Sequence, residues 1–78
     1  MSDTITAATD DPFDLAAAIA ARMAQISVTA ARCKLFGRTK QYDHLMLMVG
    51  RGLGAIRSGE TGRMGRVLEI LNHVELDQ

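Results

Sequence analysis

Apolar side chains recur at Leu15, Ile19, Met23 and Ile26, a spacing of four, four and three that lines one side of an α-helix and fits no strand. Asp10 or Asp11 is placed to cap such a helix, Pro12 suits its first turn, and Asp14 complements the positive end of the helix dipole. After Ser27 the phase changes, because Val28, Ala31 and Leu35 fall on the opposite side of a continued helix. If apolar residues go inside, the helix must break. The pattern therefore predicts that Ser27 caps a short second helix, which Gly37 ends.

Beyond Gly37, Thr39 is expected to cap a longer helix with Tyr42, Leu45, Val49, Leu53 and Ile56 on its core face and Met46 beside them. A last helix is expected from about Glu60 to Leu76, with Met64, Val67, Leu68, Leu71 and Val74 facing inward. The segment "RSGETGR" between them reads as a helix-to-helix turn, since its glycines and serine punctuate two periodic runs. The expected fold is all-α, a compact three- to four-helix bundle over residues 10–78. Residues 1–9 have no periodicity and read as a short flexible N-terminal arm.

Two stretches resemble nucleotide-binding loops, and both fail on chemistry or context. In "GAIRSGETGR", Gly54 and Gly59 have phosphate-loop spacing and Thr61 holds the magnesium position, but Glu60 stands where a lysine must meet phosphate oxygens. A carboxylate there repels the ligand, and no strand directly precedes the loop. In "LMLMVGRGLGA", Gly50, Gly52 and Ala55 follow an apolar run as in a dinucleotide fingerprint. The flanking segments are too short to supply the parallel sheet that fold requires. Those glycines are better explained by the close approach of another backbone.

A chain of 78 residues is one domain, and with 47% hydrophobic but 4% aromatic residues its core is built from alanine, leucine and methionine. Domains of this size bury only about 60% of their unfolded surface and often rely on a metal, disulfides or a partner. Cys33 is the one cysteine, so no internal disulfide forms, and Cys33, His44 and His73 are too few and scattered for structural zinc. A small buried or half-buried apolar role suits Cys33 better than a reactive one. That leaves a partner, and neither a metal nor a cofactor is expected. The acidic "MSDTITAATDD" has no basic signal region, and no apolar run reaches the ~18 residues of a membrane span. A cytoplasmic location is expected.

Charge is polarised along the chain. Residues 22–66 hold all nine basic residues against two acids, a local net of +7, while the ends carry the other acids. On the long helix, Leu47 and Met48 fall on the side shared with Lys40, His44 and Arg51. They either pack beneath the first two helices or form a binding or dimer face. Gly50 and Gly54, four apart, make a small-residue strip beside them where a neighbouring helix could come close. On the last helix Arg66, Glu69 and His73 share an outer row, which suits a solvated polar face better than acid–base or metal chemistry.

No nucleophile–base pattern is legible, and no enzymatic activity is expected. The basic middle suits an acidic protein surface, with Lys40, Leu47, Met48, Arg51, Arg57, Arg63 and Arg66 as the candidate contact residues. The expectation is a regulator, inhibitor or accessory subunit that binds a macromolecular partner, with homodimerisation as a further option. Nucleic acid binding through the basic segment is the alternative. Against it stand the neutral total charge, the scarcity of aromatics for stacking and the lack of a helix-turn-helix or zinc-finger pattern.

Overall fold

Asp11 caps the first helix, its Oδ1 accepting from the Phe13 amide at 2.8 Å with Pro12 in the first turn. From there the chain stays helical to Leu35. The structure, a computed structural model, describes Ile5 and residues 11–76. It consists of α1 (Pro12–Leu35), α2 (Thr39–Ser58) and α3 (Thr61–Asn72), each packed against the other two.

The break expected at Ser27 is absent. Ser27 lies exposed inside an unbroken α1, because Ala30 and Cys33 continue the buried stripe of Leu15, Ile19 and Ile26 without a phase change. Val28, Ala31 and Leu35 remain on the far side, exposed to solvent. The inference that they required a second helix rested on the rule that apolar residues go inside, which holds in one direction only.

Short links connect the helices. Gly37 adopts φ 76°, and the Gly37 and Arg38 amides donate to the Lys34 and Cys33 carbonyls at 3.2 and 2.8 Å, a Schellman closure of α1. The next helix begins at once, with Thr39 as its first residue. Arg38 occupies the cap position without a capping side chain, so the expected Thr39 cap is displaced by one residue. At the other end of α2, Gly59 takes φ 67°, and the Ser58 hydroxyl donates to the Ala55 carbonyl and accepts from the Glu60 amide. The "RSGETGR" segment is thus a helix-to-helix turn.

The core face of α2 is rotated from the expected one. Leu45 is buried as expected, but it is joined by Met48, Gly52 and Ala55, while Tyr42, Val49 and Ile56 are half-buried and Met46 and Leu53 are exposed. Of the pair expected either to pack beneath the first two helices or to form a binding face, Met48 is only 8% exposed and belongs to the core, whereas Leu47 is 58% exposed. Close helix contact occurs at Gly52, where an added Cβ would lie 2.7 Å from Met23 Sδ and 3.2 Å from Ile19 Cγ2. The expected strip at Gly50 and Gly54 is not a helix contact. Gly50 faces open space, and Gly54 lies beneath the Arg63 guanidinium. Gly50→Ala is therefore expected to raise stability by about 1 kcal/mol, the helix-propensity difference, moving the thermal midpoint up by about 5 °C. Thermal unfolding followed by circular dichroism checks this.

Met64, Leu68 and Leu71 of α3 are buried with Val67 and Val74 half-buried, as the periodicity predicts. The helix ends at Asn72, earlier than expected, where the His73 and Val74 amides turn back to the Ile70 and Leu71 carbonyls and a side chain from α1 adds further donors. Arg22, 1% exposed, donates through Nε to the Leu71 carbonyl at 2.9 Å and through a terminal nitrogen to the Val74 carbonyl at 2.8 Å. Gln25 Oε1 accepts from its other terminal nitrogen at 2.8 Å. The Asn72 side chain in turn brackets Ile5, accepting from its amide at 3.0 Å and donating to its carbonyl at 2.7 Å. Ile5 packs half-buried against the core. The rest of the expected arm, and the boundary at residue 10, lie outside the described residues. The assembly measures 38 × 27 × 14 Å, a slab whose long edge matches the roughly 36 Å of a 24-residue helix.

Candidate binding site at the corner of α1 and α2

The end of α1 and the start of α2 enclose an open groove of about 540 Å³. Its floor is apolar, from Cys33 and Leu45, both buried, with the largely exposed Phe36 as one wall. Arg32, Arg38, Lys40 and His44 surround it, with Thr29 and Gln41 adding polar groups and Glu75 a single carboxylate. The Schellman turn creates this arrangement. It reverses the chain within three residues, so side chains from the last turn of α1 and the first turns of α2 converge on one hollow.

Two contacts hold the corner. Lys34 Nζ sits 5.1 Å from the centroid of the Tyr42 ring, a cation–π contact between the two helices. Cys33 Sγ lies 3.9 Å from Gln41 Oε1, a weak thiol hydrogen bond to an otherwise apolar neighbourhood. Each ties the last turns of α1 to the first turns of α2.

The expected contact residues are not gathered in one place. Lys40 lines the groove, Leu47 and Arg51 are exposed further along α2, and Arg57 lies in its last turn, about 25 Å from Lys40 at 1.5 Å per residue. Arg63 and Arg66 are exposed on α3, beyond the Gly59 turn. Met48 is withdrawn into the core. The exposed cations thus form two groups toward opposite ends of α2, and the group at the corner surrounds a hollow. Arg32, Arg38, Phe36 and Cys33 were not singled out as contact residues by sequence reasoning. The signal that points to them is the run "RCKLFGRTK", in which cations flank the turn-forming Gly37 on both sides.

The Glu69 and His73 row does not assemble an acid–base pair. His73 Nδ1 donates to the Glu69 main-chain carbonyl at 2.7 Å, and both side chains are exposed. Among the described residues, no group of three or more His, Cys, Asp or Glu side chains is placed to hold a metal ion. No described helix is long and apolar enough to cross a membrane. Compared with known protein families, characterised proteins and solved structures, the chain shows no significant match.

Proposed function

We propose that the protein is a small non-enzymatic binding module, a regulator, inhibitor or accessory subunit, that captures an acidic segment of a protein partner in the α1–α2 corner groove. The observation that carries the reading is the convergence of Arg32, Arg38, Lys40 and His44 around an apolar floor. Cations around a hydrophobic hollow suit a peptide that inserts one apolar side chain and sets carboxylates around it. The buried anchor supplies affinity while the charged rim supplies orientation and rate. A duplex fits less well, because the second cationic group lies about 25 Å away along α2 and a sugar–phosphate backbone has no use for an apolar floor.

The test is titration of ¹⁵N-labelled protein with a peptide carrying one phenylalanine flanked by glutamates, followed by amide shift mapping. Shifts are expected to centre on Thr29 to Leu45. Arg38→Ala with Lys40→Ala is expected to weaken binding about 10-fold or more, as for charge-assisted contacts at a partly desolvated rim. Phe36→Ala is expected to weaken it too. Shifts confined to Arg57, Arg63 and Arg66 would overturn the reading. So would duplex DNA binding more tightly than the peptide at ~0.15 M salt and losing that binding when those three arginines become alanine.

A further inference from the structure

The outer face of α1 carries no charge for its whole length. Phe13, Val28 and Leu35 are 84%, 57% and 80% exposed, and Ala17, Ala20, Ala24 and Ala31 lie exposed between them. At 3.6 residues per turn these seven fall within one narrow sector, opposite the stripe that packs on α2 and α3. Neither helix covers them.

We infer that this face is the seam of a symmetric homodimer in which two copies of α1 pack antiparallel about a two-fold axis at Ala24. This face is distinct from the groove, although Arg32 borders both. Three features select a second copy as the occupant. The first is shape. The face is self-complementary about Ala24, since Phe13 and Leu35 lie equally far to either side, as do Ala17 and Ala31, and Ala20 and Val28. An antiparallel partner sets each against its counterpart, leaving alanine at the centre, where helix axes can approach to about 8 Å.

The second feature is charge. Asp14 and Arg32 lie about five full turns apart, on the same flank of the seam. The antiparallel two-fold places Asp14 of one copy beside Arg32 of the other, with an axial offset of about 3 Å that an arginine side chain spans. A parallel pair would instead set Asp14 against Asp14 and Arg32 against Arg32. A lipid surface is also disfavoured, because that flank presents an acid at one end.

The third is area. A strip the length of α1 and a third of its circumference buries roughly 500 Å² per copy, or about 1,000 Å² in all, the lower end for a specific interface. A dissociation constant in the micromolar range is expected.

Sedimentation equilibrium of the full chain tests this. The wild-type protein is expected to dimerise reversibly. Ala24→Arg exchanges one good helix former for another at an exposed site, and it sets two like charges together on the axis. It is expected to weaken association at least about 100-fold while leaving the helical spectrum and melting cooperativity intact. Asp14→Arg alone and Arg32→Asp alone should each weaken the dimer, and the combined exchange should restore it. A wild-type protein that stays monomeric at high micromolar concentration would overturn the inference. So would a dimer that survives Ala24→Arg, single exchanges without effect, or a double exchange that fails to restore. Binding of the wild-type face to anionic phospholipid vesicles, abolished by Ala24→Arg without any change in self-association, would likewise overturn it.

Discussion

Arg22→Ala is expected to lower the unfolding free energy by about 3 kcal/mol or more, among the larger losses a single change can produce here. The side chain fills core volume beside Ile19 and Ile26, and its donors satisfy the Leu71 and Val74 carbonyls where α3 ends. Truncation opens a cavity and takes the guanidinium from the Val74 carbonyl and from the Leu71 carbonyl, which keeps the Val74 amide, at once. Arg22→Met separates the two effects, since it restores much of the volume and none of the hydrogen bonds. An intermediate loss is expected for methionine, and Arg22→Lys should also be intermediate because an ammonium cannot span both carbonyls as the guanidinium fork does. Urea unfolding of the three variants measures the series. If methionine proves as stable as the wild type, Arg22 is merely filling space.

The second large effect is steric. Gly52→Leu is expected to destabilise the protein by at least about 3 kcal/mol, or to prevent folding, because even a Cβ at that position would meet Met23 Sδ at 2.7 Å and Ile19 Cγ2 at 3.2 Å. Gly52→Ala should be far milder. Met23 is unbranched and can swing aside, and the gain in helix propensity of about 1 kcal/mol offsets the crowding. The contrast identifies the mechanism, since a site without close packing would accept leucine on a helix surface with little penalty. A leucine variant that melts with the wild type would show that α1 does not cross α2 at this glycine.

What could be read in advance was whatever depends on near neighbours. Asp11 and Pro12 mark the start of α1, and the Leu15 to Ile26 stripe and the Met64, Leu68, Leu71 stripe mark buried faces, because capping and periodicity are properties of a few turns of chain. Ser27 misled because Val28, Ala31 and Leu35 suggested a need for burial, when Ala30 and Cys33 were already continuing the core stripe and those three stay exposed. The choice between the two readings of Met48, and the role of Gly52, were beyond reach for a different reason. The rotation of α2 is set by where α1 can come closest, which is a fact about two helices. Arg22 was hidden most deeply. Its burial makes sense only once carbonyls some fifty residues away in sequence are known to lie beside it.

The corner groove was half legible. Lys40 and the charge of the segment could be read, but the number of cations that meet in one hollow depends on the turn reversing the chain within three residues. The same basic residues on a longer linker would have been dispersed. Arg57, Arg63 and Arg66 show the other outcome, cations close in sequence that lie exposed on either side of a turn.

The capping of α3 by a side chain from α1 makes that helix conditional. With 12 residues and glycines at Gly62 and Gly65, α3 is too short and too glycine-rich to persist alone in water. The α1–α2 corner closes through contacts between near neighbours, whereas α3 completes its C-terminal bonding on reaching Arg22 and gains its outer bracket on reaching Ile5. A rank order of permanence is therefore expected, with α3 losing protection before the α1–α2 hairpin in native-state hydrogen exchange. Opening of α3 would release the Arg22 guanidinium and the Leu71 and Val74 carbonyls in a single event.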